Sequence, residues 1–354
     1  MSERVLVKGN EALAEAAIRA GCRHFFGYPI TPQTEVAAYM ARKMPKIGGT
    51  YLQAESEVAA INMVYGAAAA GVRVMTSSSS PGISLKSEGI SYLAGSDLPC
   101  LIINIQRGGP GLGGIQPSQA DYWQATRAPG HGDLHLLVYA PNNVQEMVNL
   151  VFEAYDKAEQ YRVPAMILGD GLLGQMMEPV SFPEEGEIKQ HDKSWAVTGH
   201  KNQRKHNIVN SLYLKADELE QTVVERFERY AQIEANEVKV EEYMMDDAEY
   251  AIVAFGATSR IAKSAILKLR EEGIKVGLIR PITLWPFPKQ AISNACDKVK
   301  AFLTVEMSMG QMVDDVRLAV NGCKPVEFFG HTGGIVPTPA EVVEAVKAMM
   351  GGAK

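Results

Sequence analysis

Short unbroken runs of apolar, often β-branched residues alternate along this chain with longer stretches in which apolar positions recur every three or four residues. The first pattern belongs to strands covered on both faces, the second to helices packed against them. In order, Glu11–Ala20 predicts a helix closed by Gly21, His24–Gly27 a strand, and Thr34–Lys43 and Glu57–Ala70 two helices. Val72–Thr76 predicts a strand that opens into the loop Ser77–Gly82. Leu101–Ile105, Leu136–Tyr139 and Ala165–Leu168 predict further strands, with a helix over Val144–Gln160. Pro179–Glu187, with its prolines, glycine and glutamates, predicts a linker. A long charged helix over Ala216–Asn236 follows. The alternation then resumes, with strands over Tyr250–Phe255, Lys275–Ile279, Ala301–Val305 and Val326–Phe329, and helices over Thr258–Glu272, Gln311–Val320 and Pro339–Met349. This order predicts an α/β fold of two parallel-sheet domains, residues 1–180 and 248–354, joined by a linker and charged helical connector over 181–247.

Composition narrows the classes of function. At 354 residues the chain is long enough for two or three domains and a substantial core. Its 35 basic and 41 acidic residues give a net charge of −6, which argues against a nucleic-acid partner. The charge is unevenly placed: 12 acids and 4 bases between Lys215 and Glu249 make that segment −8, leaving the rest at +2. Such a segment is either a solvated connector or a surface that docks a partner chain. The four cysteines, Cys22, Cys100, Cys296 and Cys323, are dozens of residues apart, too far for a locally encoded zinc or iron–sulfur site. Charged residues interrupt Met1–Gly21, so no signal-peptide core is expected there. The Ala-rich run Val58–Val72, at 15 residues, is too short to span a bilayer. These features predict a cytoplasmic protein with reduced thiols.

Several short segments carry chemistry. In Tyr28-Pro29-Ile30-Thr31-Pro32 the prolines hold Tyr28 and Thr31 extended and fix a stiff bend after a strand. That bend either presents the Thr31 hydroxyl to a ligand or lets Thr31 cap the following helix. Glu55 and Glu57 precede a nearly uncharged helix, as dipole partners or as a carboxylate kept in an apolar pocket to exchange a proton with a cofactor ring nitrogen. Glu57, running directly into Val58-Ala59-Ala60-Ile61, is the better placed. Arg107 follows an apolar strand, where open α/β sheets bind ligands, and its guanidinium suits a carboxylate; a structural ion pair is the alternative.

Other motifs are rejected on context. Gly109–Gly114 spells G-x-G-x-x-G, but Pro110 lies inside it and no helix follows directly, so it is no dinucleotide fingerprint. Gly169-Asp170-Gly171 resembles the start of a thiamine diphosphate magnesium motif, yet Asn202 comes too late and in the wrong setting, which leaves a turn. The seven histidines form no ligand-spaced cluster.

Taken together, Tyr28–Pro32, Glu55-Ser56-Glu57-Val58-Ala59-Ala60, Ser80-Pro81-Gly82 and Gln106-Arg107-Gly108 occur in the order seen in 2-oxoacid:ferredoxin oxidoreductases. The chain resembles the alpha subunit of that family along nearly its whole length. It is most similar to the separate alpha chain of the branched-chain (2-oxoisovalerate) and 2-oxoglutarate enzymes. Gly256-Ala257-Thr258, Arg280–Pro288 and Glu306–Gln311 likewise resemble a transketolase C-terminal-type domain. The resemblance implies a thiamine diphosphate site shared between subunits, with this chain holding the aminopyrimidine. A beta subunit would hold the diphosphate and magnesium (Mg2+). Glu57 would hydrogen-bond the pyrimidine N1′, with Tyr28, Pro29 and Ile30 beside the cofactor; Thr31 and Arg107 would bind the oxo and carboxylate groups of the 2-oxoacid. Coenzyme A would take the acyl group. Electrons would pass to ferredoxin through iron–sulfur clusters in gamma and ferredoxin-like delta subunits, since this chain has no cluster ligands. Among substrates 3-methyl-2-oxobutanoate is favoured over 2-oxoglutarate, because only Lys86 and Arg127 offer themselves as receptors for a second carboxylate. A non-catalytic scaffold and a nicotinamide dehydrogenase are the remaining alternatives.

Overall fold

A computed structural model describes residues 4–184 and 188–352. The first unit runs β1 (Val5–Lys8), α1 (Gly9–Arg19), β2 (His24–Gly27), α2 (Thr34–Lys43), β3 (Thr50–Gln53), α3 (Glu57–Ala69), β4 (Val74–Ser78), α4 (Ser80–Gly95) and β5 (Leu101–Gln106). It continues with α5 (Tyr122–Thr126), β6 (Leu137–Tyr139), α6 (Val144–Tyr161), β7 (Ala165–Asp170), α7 (Gly171–Gln175) and β8 (Met177–Val180). After α8 (Ala216–Asn236) and β9 (Val240–Tyr243), the second unit has β10 (Tyr250–Val253), α9 (Gly256–Glu271), β11 (Val276–Pro281), β12 (Thr283–Trp285) and α10 (Lys289–Ala295). It ends with β13 (Phe302–Glu306), α11 (Met312–Val320), β14 (Val326–Gly330) and α12 (Pro339–Gly352).

Two mostly parallel sheets result. The larger has the order β12-β6-β7-β5-β4-β2-β3, the smaller β14-β13-β10-β11-β9, and β1 pairs with β8 in a separate two-stranded ribbon. In each large sheet the one antiparallel strand is at an edge, β12 in the first and β9 in the second. Every residue of β4, β5 and β7 is buried, as expected of parallel strands with helices on both faces. Leu101, Ile102, Ile103 and Ile105 of β5 join Ala165, Met166, Ile167 and Leu168 of β7 in the main core. A second cluster around Ile252, Leu278, Leu303 and Val346 fills the smaller unit.

Some expectations are corrected. Ser77 and Ser78 belong to β4, and Ser80-Pro81-Gly82 is not a loop but the first turn of α4, where proline's fixed φ fits a helix start. Pro179 lies in β8 rather than in a linker; a two-stranded ribbon tolerates a proline whose missing N–H faces away from the pairing. Residues 185–187 of that expected linker lie outside the described residues. Cys296 and Cys323 are joined as a disulfide, because α10 packs on α11 and brings their Cα atoms to 6.5 Å. Only Cys22 and Cys100, both buried, match the expectation of reduced thiols. Among the described residues no helix is long and apolar enough to cross a membrane.

The parallel strands β2, β4, β5 and β7 deliver the segments after Gly27, Ser78, Gln106 and Asp170 to one edge of the sheet, the edge where α/β folds bind ligands.

Candidate active site

After β2 the chain bends through Tyr28-Pro29-Ile30-Thr31-Pro32, with a cis Thr31–Pro32 peptide bond. Fully buried Gln33 ties the bend in place. Its backbone N–H donates to the Ile30 carbonyl at 3.2 Å and its side-chain amide to the Tyr28 carbonyl at 3.3 Å. Its side-chain carbonyl accepts from the Ser77 hydroxyl at 2.5 Å, fastening the bend to the end of β4. Gln33, not Thr31, is the residue that precedes α2, and Thr31 makes no capping bond there. Thr31 and Pro29 are exposed at the tip, with Tyr28 and Ile30 half-buried.

Glu57 opens α3, where the Ser56 hydroxyl accepts from the Ala59 N–H and takes the capping role. That leaves the Glu57 carboxylate uncommitted, and among the described residues it accepts no hydrogen bond although the residue is 94% buried (6% exposed). Glu55, by contrast, is exposed. Glu57 lies against the first turn of α4: a Cβ on Gly82 would stand 2.8 Å from Glu57 Oε1 and 2.1 Å from Ser78 Oγ. Gly82 is thus required by the close approach of the two helices. Lys86, one turn further along α4, is fully buried and donates to Thr76 Oγ1 at 2.8 Å. Burial lowers its pKa to about 8, with the Glu57 charge acting in the opposite direction.

Arg107 follows β5 and is also buried. Its Nη1 donates to the Thr31 carbonyl and its Nη2 to the Leu112 carbonyl, each at 3.0 Å, while Nε has no partner. The guanidinium therefore pins the proline bend and the glycine-rich loop together and keeps one N–H in hand. That loop has a cis Gly109–Pro110 bond and positive φ at Gly111 and Gly113, and it forms no helix, so the dinucleotide reading stays rejected. The Arg107 backbone N–H donates to Ser80 Oγ at 3.1 Å, and Ser80 Oγ donates to Asp121 Oδ2 at 2.6 Å. Asn104 also donates to Asp121, whose carboxyl is nonetheless pushed upward by burial.

A cleft of about 720 Å3 opens beside these residues, lined by Ser80, Gly108, Asp121 and Gln124 from the first unit and Met309 and Thr332 from the second. Gln119 joins the two units here. Its side chain donates to the Phe255 carbonyl at 2.8 Å and accepts from the Met307 N–H at 3.0 Å and from Thr258 Oγ1 at 3.2 Å. Asp170 does not sit in a free turn. It ends β7 and caps α7, accepting from Leu172 and Leu173 N–H, and burial raises its pKa to about 6. Asn202 is exposed in a separate turn, where its N–H donates to His200.

The structure thus brings Thr31 and Arg107 together and sets Glu57 under α4. Neither candidate for a second carboxylate is open to one: Lys86 is sealed inside, and Arg127 pairs with Asp315 at 2.9 Å. The sequence offers Lys86 only as a receptor for a second carboxylate, not as a buried neighbour of β4, and it does not single out Gln33. For Lys86 the signal was present, since Ile83, Lys86, Ile90 and Leu93 share one face at helical spacing.

Residues 15–246 match the family model described as pyruvate flavodoxin/ferredoxin oxidoreductase, thiamine diphosphate-binding, and residues 248–342 match core domain II of pyruvate:ferredoxin oxidoreductase. The chain belongs to the 2-oxoacid:ferredoxin oxidoreductase family. It is 51% identical to ketoisovalerate oxidoreductase subunit VorB of Methanothermobacter thermautotrophicus, covering 98% of both chains. It is 36% identical to 2-oxoglutarate synthase subunit KorA of Archaeoglobus fulgidus, over 98% of this chain and 99% of that one. Among solved structures, 2-oxoglutarate:ferredoxin oxidoreductase from Magnetococcus marinus matches with a TM-score of 0.88 and 28% identity, over 98% of this chain. This oxidoreductase subunit spans 65% of the length of that chain. A split-gene transketolase, 14% identical with a TM-score of 0.61, shares the fold.

Proposed function

We propose that this chain is the alpha subunit of a cytoplasmic complex that converts 3-methyl-2-oxobutanoate and coenzyme A to acyl-CoA and carbon dioxide, passing electrons to ferredoxin. The observation that carries this reading is the buried Glu57 carboxylate with no donor of its own, set against Gly82. A largely buried carboxylate with no donor in the protein is free to take one from a ligand, and the protonated nitrogen of an aminopyrimidine ring is one. The orphaned hydroxyls of Ser78, at the end of β4, and Ser79, directly before α4, fit a polar heterocycle, and Ser78 Oγ borders Gly82 as Glu57 Oε1 does. Thiamine diphosphate, when bound, supplies a thiazolium that attacks a 2-oxo carbon and accepts the electrons freed as carbon dioxide leaves.

Glu57 holds the proton at N1′, and Tyr28, Pro29 and Ile30 form the wall beside the ring. Thr31 presents its hydroxyl at the exposed tip of the bend. Arg107, with Nε open, receives the substrate carboxylate. A beta subunit supplies the diphosphate and magnesium contacts, and gamma and delta subunits supply the iron–sulfur clusters. Among the described residues no three His, Cys, Asp or Glu side chains converge as metal ligands would. The branched-chain substrate is supported over 2-oxoglutarate by the burial of Lys86 on Thr76 and the pairing of the exposed Arg127 with Asp315.

The test is reconstitution. The purified chain alone should not reduce methyl viologen with any 2-oxoacid. Combined with its partner subunits, thiamine diphosphate, magnesium and coenzyme A, it should do so fastest with 3-methyl-2-oxobutanoate. Turnover by the isolated chain would overturn the shared site, and a preference for 2-oxoglutarate or pyruvate would overturn the substrate.

A further inference from the structure

Acyl transfer to coenzyme A leaves one proton unassigned. A thiol attacks as its thiolate, so the co-substrate must give up its S–H proton beside the acyl carbon. The cleft next to Arg107 opens at that place: Gly108 follows Arg107 in the chain, and Ser80 accepts from the Arg107 backbone N–H at 3.1 Å. Among the described residues that line the cleft, Asp121 is the one group able to take a proton, and none carries a positive charge. A cleft without cations does not suit the anionic 2-oxoacid or a diphosphate. It suits the neutral, amide-bearing arm of coenzyme A, whose N–H groups can supply the buried Gln124 Oε1 that has no partner.

Asp121 is held in place with one oxygen to spare. Its Oδ2 accepts from Ser80 Oγ at 2.6 Å and from Asn104 at 2.9 Å, whereas Oδ1 accepts no hydrogen bond among the described residues. Its backbone N–H donates to Gln106 Oε1 at 3.1 Å, which ties it to β5 as Ser80 ties it to α4. Burial raises its pKa toward the range in which a base works best, and the Arg107 charge opposes this more weakly. The remaining charges nearby are engaged elsewhere. Strand β5 carries none, and Lys86 and Glu88 of α4 bond to Thr76 and Tyr92. Arg127 at the end of α5 pairs with Asp315, and Glu306 accepts from the first N–H groups of α11.

We propose that the cleft holds the thiol arm of coenzyme A and that Asp121 Oδ1 receives its proton as the sulfur attacks the acyl carbon. The S–H bond breaks, and a bond forms from sulfur to that carbon. The bond from the acyl carbon to the cofactor breaks, with its electron pair left on the cofactor. The two electrons of the oxidation go to ferredoxin, and Asp121 later releases the proton to water. This inference rests on the proposed acyl-transfer activity.

The test uses the assembled complex and Asp121→Asn, which keeps an acceptor for Ser80 and Asn104 but cannot take a proton. Carbon dioxide released in the first turnover without coenzyme A should be unchanged, as should coenzyme A affinity by titration calorimetry. The thiol-dependent step should slow by about 10²–10⁴ at neutral pH. In the variant its rate should then climb about tenfold per pH unit, because only the free thiolate now reacts. The wild-type rate should stay level over the same interval and fall only on the acid side, as Asp121 takes up a proton. Should the variant fail to assemble, the wild-type profile decides: a rate that tracks the thiolate fraction overturns the role of Asp121. A lost affinity for coenzyme A, or a thiol step that the substitution leaves unchanged, overturns it as well. A wild-type complex that releases carbon dioxide and needs no thiol overturns the acyl-transfer reading and this inference with it.

Discussion

Arg107 reaches from the end of β5 to the backbone of Thr31, donating to its carbonyl at 3.0 Å, while its other terminal nitrogen holds Leu112. One side chain thus fixes two loops that the sequence separates by some 75 residues. Arg107→Lys places a single ammonium where a planar fork had joined both carbonyls. The KM for the 2-oxoacid should rise about tenfold or more, in line with the loss of one to two charged hydrogen bonds, with assembly unchanged. Steady-state kinetics with methyl viologen reads this out, and an unaltered KM would assign Arg107 to loop structure alone.

Glu57→Gln keeps the shape of the side chain and removes its capacity to hold a proton against N1′. Turnover should fall by about 10²–10⁴ while the complex still assembles. Near-normal turnover would remove Glu57 from its assigned role.

Gly82→Ala introduces a Cβ that would lie within 2.1 Å of Ser78 Oγ and 2.8 Å of Glu57 Oε1. The carboxylate must then swing away from α4. Thiamine diphosphate affinity should drop at least tenfold in a calorimetric titration, about 1.4 kcal/mol, with little change in the melting of the cofactor-free complex. Unchanged affinity would show that the approach of Glu57 to α4 is irrelevant to the site.

Asp170 gives a pH dependence of unusual sign. Its folded pKa of about 6 lies above the ordinary carboxylate value, because burial outweighs its backbone N–H partners. A group raised in this way favours the fold while protonated, and that contribution is lost as pH rises from about 4 to about 6. Asp170→Asn keeps an acceptor for Leu172 and Leu173 but never ionises. Its Tm should stay flatter across that interval than the wild type's, and above it the variant should be more stable by up to about 3 kcal/mol. Calorimetric scans at several pH values decide this.

Gln119→Leu strands the Met307 N–H between the two units and takes one of two donors from the Phe255 carbonyl, which keeps the Thr258 hydroxyl. The cost should be about 1–3 kcal/mol, read as a lower denaturant midpoint.

Much of this arrangement was legible in the sequence. The helices over 34–43 and 216–236 begin and end where periodicity places them, and Thr31, Glu57 and Arg107 follow the carboxyl ends of β2, β3 and β5. What escaped notice depends on tertiary contact. The helix Ser80–Gly95 opens with serine, proline and glycine, local signals of a turn, and it persists because Ile83, Ile90 and Leu93 are buried in the core. The pairing of Cys296 with Cys323 spans 27 residues and depends on how two helices pack. The roles of Gln33 and Gln119 lie in bonds between distant segments, which carry no periodic signature.

The edge strand β12 has a consequence for dissecting the molecule. Thr283–Trp285 comes from the C-terminal half of the chain but pairs with Tyr139 and Val138 in the large sheet. A fragment ending at the charged connector would leave β6 as a bare rim of unpaired amides and carbonyls, ready to recruit strands from other molecules. The halves are interlocked like clasped fingers, and expressing them separately should produce insoluble protein where expressing the whole chain does not.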